Sequence, residues 1–268
     1  MKTSVSFLAA AVAALGVLTW ASAQNAQAKD KDKDRDRHVE TRPAAVFQAA
    51  GPNAASIQSA VDQFRAALGG VNNGNVPGPI ATGRREINWD GGGNNPATSP
   101  GPTPFQVFLT TRGADITTPG SGFVQATPAG LADTFGNQAL TGIFQAFSPL
   151  RLFAPIGSNV TDVAFFLPGG GNVAAETSAF GVVFSDVDRE ESTRIKYFDA
   201  HGRLLFSTNA PASPGTATFS FMGVRFADAR IASVRIITGN EEIEVGRRLK
   251  GDIVVMDDFV YGEPQAAQ

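Results

Sequence analysis

Gly251-Asp252-Ile253-Val254-Val255-Met256-Asp257-Asp258-Phe259-Val260-Tyr261-Gly262-Glu263-Pro264 is the run whose reading decides the fold. Its interior is rich in β-branched and aromatic residues and is bounded by Gly251 and Gly262, which predicts a closing β-strand. Into that strand is set the carboxylate pair Asp257-Asp258. Successive strand residues point to opposite faces, so the expectation is one aspartate toward the core or a sheet rim and the other toward solvent. A buried carboxylate then needs a cation or hydrogen-bond donors.

Glu86-Ile87-Asn88-Trp89-Asp90, followed by Gly91-Gly92-Gly93-Asn94-Asn95-Pro96, reads as the opening strand and its loop. Pairing of the first and last strands would bring Glu86, Asn88 and Asp90 to Asp257 and Asp258. Such an all-oxygen set suits a structural Ca²⁺ with its 6–8 oxygen ligands. The alternative is that the two aspartates accept backbone hydrogen bonds or pair with Arg84 or Arg85.

Between these strands lie short apolar runs separated by Gly, Pro and Asn. They fall near Val107–Leu109, Ala114–Thr117, Phe123–Ala126, Phe144–Phe147, Val160–Leu167, Ala179–Asp186, Arg194–Phe198, Arg203–Ser207, Thr216–Phe221 and Ile231–Thr238. The pattern predicts an all-β fold over residues 83–264, a jelly-roll-like two-sheet antiparallel β-sandwich. Asp199-Ala200-His201-Gly202 supplies the turn of the clearest hairpin, which makes His201 a turn residue. Residues 45–82 hold one helix and a connecting loop. Asn53 is the expected N-cap, Ile57, Ala60, Val61, Phe64 and Leu68 form an apolar stripe, and Gly69-Gly70 ends the helix.

The first 23 residues read as a secretory signal peptide, with Lys2, an apolar stretch from Phe7 to Trp20, and Ala21-Ser22-Ala23 as the cleavage pattern. Residues 24–44 contain the alternating run Lys29-Asp30-Lys31-Asp32-Lys33-Asp34 and predict a solvated linker; residues 265–268 form a short tail. The chain is therefore expected to be exported, to the periplasm or the extracellular space. With no cysteine among its 268 residues, it has neither disulfides nor a lipid attachment point. A net charge of -3 excludes the basic footprint of nucleic-acid binding, and no apolar run after the leader is long enough for a membrane span.

The segments Val61–Ala66, Gly83–Gly91, Gly181–Asp188 and Val255–Pro264 together resemble a group of exported bacterial β-sandwich proteins of unknown function. Proteins of this kind often carry PEP-CTERM-type sorting tails. The resemblance spans Ala54 to Pro264 and implies a fold and an exported location, with no assigned activity. Gln265-Ala266-Ala267-Gln268 offers neither the apolar anchor nor the basic cluster of such a tail, so sorting by that route is not expected.

Three functions are compatible with this reading. The preferred one is a non-catalytic module that binds extracellular glycan or another envelope component. Trp89 and Tyr261 are its candidate ligand-stacking residues, because Trp and Tyr pair an apolar ring with a polar handle. A structural or matrix protein is the second. A glycan-cleaving enzyme is the third and needs two facing carboxylates, for which Asp186 and Asp188 are available at the end of a strand. The same two aspartates are a second candidate Ca²⁺ pair. With His38 in the linker and His201 in a turn, no histidine-based catalytic set is expected.

Overall fold

A computed structural model describes residues 41–91, 97–242 and 251–267. The leader, the charged run of the linker, His38 and the loop residues 92–96 lie outside the described residues. Fifteen strands are formed among those described. Eight build one antiparallel sheet in the order β1 (Ala45–Gly51), β12 (Phe219–Arg225), β9 (Ala179–Ser185), β14 (Val255–Gly262), β6 (Leu152–Ile156), β5 (Gly122–Ala126) and β3 (Ser99–Gly101), with β2 (Arg84–Ile87) also paired to β14. Five build a second sheet in the order β11 (Leu204–Asn209), β10 (Arg194–Phe198), β13 (Ser233–Ile237), β7 (Val160–Phe165) and β4 (Ala114–Thr117). The expected two-sheet antiparallel arrangement is thus formed. Two further strands, β8 (Ala175–Glu176) and β15 (Gln265–Ala266), pair with each other.

The two sheets enclose the main core. Phe180, Val182, Phe184, Met222, Phe259 and Tyr261 from the larger sheet meet Ile116, Val163, Ile195, Tyr197, Val234 and Ile236 from the smaller one. Tyr197 is fully buried and donates its hydroxyl across the gap to Phe180 O at 3.2 Å.

The larger sheet is covered on its outer face as well. Helix α1 (Ala54–Ala67) starts at Asn53, whose side chain accepts from Ser56 N, as the sequence predicts. Its stripe Ile57, Val61, Phe64 and Leu68 packs on Ala179, Val183, Phe219, Phe221 and Val260. Gly181 and Gly223 are register partners beneath Phe64, and a Cβ on either would come within about 3 Å of its ring: 2.9 Å at Gly181 and 3.0 Å at Gly223. Those two glycines form the socket that seats the helix. Helix α3 (Pro128–Thr134) covers the remaining outer face, with Leu131 and Phe135 against Val124, Leu152 and Val255.

Burial on both faces explains why β5, β9, β12 and β14 are continuously apolar or buried, whereas β7 and β10 alternate. Among the described residues no element covers the outer face of the smaller sheet.

Several elements differ from the sequence expectation. Val107–Leu109 leads into a short helix α2 (Leu109–Arg112), and Phe144–Phe147 is an irregular segment whose Phe144 fills the core under α3. The run beginning at Thr216 becomes a strand only at Phe219, because Gly215 and Ala217 adopt left-handed backbone, with φ of 124° and 58°. Strands β1, β3, β6 and β8 and helix α3 lie outside the sequence expectation, and the expected tail is corrected in part, since Gln265–Ala266 forms β15 against β8. Because β1 pairs with β12 over seven residues, the larger sheet begins at Ala45.

Candidate functional site

The opening and closing strands do pair: Ile87, Glu86, Arg85 and Arg84 stand opposite Phe259, Val260, Tyr261 and Gly262. On its other side, β14 pairs with β9 and slips register between Met256 and Phe259, so that Asp257 and Asp258 together oppose Val183. This is a β-bulge. Met256 and Phe259 both point into the main core, and both aspartates therefore face outward, beneath α1. The expectation that they point to opposite faces is corrected: one extra residue cancels the two-residue alternation. Asp257 is fully buried and Asp258 is 3% exposed.

All four carboxylate oxygens of the pair have partners. Phe147 N donates to Asp257 Oδ2 at 2.6 Å, and Arg65 donates to Asp258 Oδ2 at 3.1 Å. The Ser148 hydroxyl lies 3.1 Å from Asp257 Oδ1 and 2.7 Å from Asp258 Oδ1. One hydroxyl has one proton and cannot donate to both. The arrangement is satisfied when Asp257 is protonated and Asp258 carries the charge beside Arg65. Burial pushes both carboxyls up, and the charge of Asp258 drives Asp257 further, well above the usual carboxylate range. Arg65 and the Ser148 hydroxyl hold Asp258 back.

A folded state that retains this proton loses stability as pH rises above about 4, where the unfolded chain ionises, until the folded carboxyl itself titrates. Asp257→Asn is therefore expected to gain thermal stability relative to wild type as pH rises from 5 to 9. Wild-type and variant unfolding curves that stay parallel over that range would refute the assignment.

Of the five residues predicted as one metal set, the structure brings three together without direct need of a metal: Ser148 bridges Asp257 and Asp258, and Arg65 joins Asp258 to Glu86. This guanidinium reaches from α1 to Glu86 at 2.9 and 3.1 Å and to Asp258. Neither Arg84 nor Arg85 takes that place: Arg84 pairs with Glu86, and Arg85 with Glu263. Asn88 is exposed. Asp90 turns away to accept Leu150 N at 2.5 Å and Arg151 N at 3.0 Å. Among the described residues no three His, Cys, Asp or Glu side chains form a metal-holding group.

Trp89 and Tyr261 are corrected as ligand-stacking residues, since they are 1% and 0% exposed. Trp89 stacks on Phe153 with centroids 3.7 Å apart and donates its indole N–H to Asp257 O at 2.8 Å. Tyr261 donates to Arg112 O at 3.0 Å. His201 is an exposed residue of the β10–β11 turn, where Asp199 accepts its N–H.

Asp186 and Asp188 lie just beyond β9. Asp186 has left-handed backbone at φ 73° and is 5% exposed, and its Oδ1 has no hydrogen-bond partner. Desolvation first, then the charges of Asp188 and Asp252, push its carboxyl up to about 7. Asp188 is exposed and accepts Gly215 N at 2.8 Å.

The open face of the smaller sheet carries a different group. Phe198, Ser233, Ala164 and Asp115 form one cross-strand row, and Lys196, Arg235, Asp162 and Thr117 the next. All of these except Lys196 line a groove of about 330 Å³. Arg235 grips Asp162 through two bonds of 2.7 and 2.9 Å. Asp115 Oδ1 is without a partner. Alternation in β7, β10 and β13 marks this face in the sequence, although the sequence does not show that the other sheet is covered. Comparison with protein-family models, curated proteins and solved structures gives no match.

Proposed function

We propose that this chain is an exported, non-catalytic β-sandwich that binds extracellular glycan across the outer face of its five-stranded sheet. The observation that carries this reading is the uncovered double row on that face, set against a larger sheet closed on both sides by helices and core. Phe198 offers a ring at one end of the groove. The Asp162–Arg235 pair and Asp115 offer a rigid set of donors and acceptors of the kind that sugar hydroxyls require. The leader supplies the extracellular address.

Binding is favoured over hydrolysis by one feature. Arg235 engages both oxygens of Asp162, so of the two carboxylates lining the groove Asp115 alone keeps an unpartnered oxygen, whereas glycan cleavage needs two.

Affinity electrophoresis of the mature chain against a panel of soluble polysaccharides tests this. At least one glycan should retard the protein, and Phe198→Ala and Arg235→Ala should each weaken retardation at least tenfold without lowering the unfolding temperature by more than a few degrees. Failure of every glycan to retard the wild type, or undiminished retardation of both variants, would rule the face out.

A further inference from the structure

We propose that Asp186 and Asp188 form a calcium site at the end of β9, on a turn held in place by Asp252. The two candidate acidic groups of this protein differ in one respect. At Asp257-Asp258 every carboxyl oxygen has a hydrogen-bond partner, and the compensating cation is Arg65. At Asp186 it does not: a carboxylate 95% removed from solvent keeps Oδ1 without a partner among the described residues. Leaving a charged oxygen in that state is costly, and a bound cation removes the cost.

The surroundings fit a hard, oxygen-seeking ion. Asp188, two residues on, presents a second carboxylate from an exposed position, where water can complete a shell of 6–8 oxygens. Asp252 holds the backbone of this turn, accepting Asp188 N at 3.3 Å, Arg189 N at 3.2 Å and the Ser192 hydroxyl at 2.5 Å. Its oxygens are thus committed to the turn, which leaves Asp186 and Asp188 as the ligands. Asp186 itself is locked by its N–H to Thr218 O at 3.0 Å and by its left-handed backbone. Calcium fits better than magnesium, which demands near-ideal octahedral geometry, and a pair of aspartates that offers oxygen alone disfavours zinc.

Thermal unfolding of the mature chain in EDTA, and then with CaCl₂ at about 100 times its Kd, should show a rise of roughly 5–10 °C. Asp188→Asn, a change at an exposed side chain, should abolish the rise. Asp186→Asn should abolish it too, while unfolding above wild type in EDTA because a buried unpaired carboxylate has gone. A wild-type curve that calcium leaves unmoved, or a rise retained in either variant, overturns the site. Glycan retardation is a separate readout, so the calcium site and the glycan-binding face can fail independently.

Discussion

Arg85→Ala is expected to cost about 3–5 kcal/mol of unfolding free energy, a large part of the roughly 5–15 kcal/mol that holds a typical domain folded. Arg85 is fully buried, and Glu263 is 5% exposed. They meet through two bonds of 2.6 Å each. The remaining groups are satisfied as well: Arg85 donates to Gly74 O and Thr111 O, and Glu263 accepts Asn73 Nδ2 at 2.9 Å and Ile80 N at 3.2 Å. This pair ties the loop from Asn72 to Ile80 to the end of the β2–β14 ladder. Removing the guanidinium strands a carboxylate in the interior, whereas replacing both partners with apolar residues removes the charge altogether. Urea unfolding should therefore place Arg85→Met with Glu263→Leu closer to wild type than either Arg85→Ala or Glu263→Ala alone. A single variant that loses less than about 1 kcal/mol would show that water reaches the pair.

The same ladder shows what the sequence reveals and where it stops. Helix α1 is legible to its cap because spacing of three and four, Asn53 and Gly69-Gly70 all agree. The strands of the smaller sheet are legible because one wet face forces alternation. Pairing of the opening and closing strands is legible in outline only. A bulge adds one residue to β14 with no compositional mark, and it turns both aspartates the same way. Arg65, which neutralises Asp258 across a sequence separation of 193, sits on the side of the α1 stripe and reads as an ordinary surface residue.

Other omissions have local causes. Pro155 within β6 argues against a strand, yet β6 joins β14 through the single register pair Met256–Phe153, so the proline interrupts little of that ladder. Helix α3 carried a signal that could have found it: Thr127 caps it by accepting from Gly130 N, and Pro128 occupies its first turn. Val107 and Phe144 belong to short apolar runs that fit a strand or a loop equally well, and packing decided them.

Trp89→Ala is expected to cost about 3–5 kcal/mol, the usual range for emptying a large aromatic site in a core. The indole is stacked on Phe153 and meets Phe259 edge-on at 4.9 Å, so its removal leaves a cavity between the two sheets. The N–H has a second task. A bulged residue is left outside the regular ladder, and Trp89 donates to the carbonyl of Asp257 at the bulge itself. Trp89→Phe keeps most of the ring but orphans that carbonyl, which should cost about 1–3 kcal/mol. The order alanine, then phenylalanine, then wild type in urea stability would establish that packing and the single hydrogen bond both act. Equal stability of the two variants would mean that the stack contributes little. Glycan retardation by Trp89→Phe should match wild type, since this residue faces the interior while the proposed ligand face is on the other sheet. Lost retardation with unchanged stability would return Trp89 to the ligand.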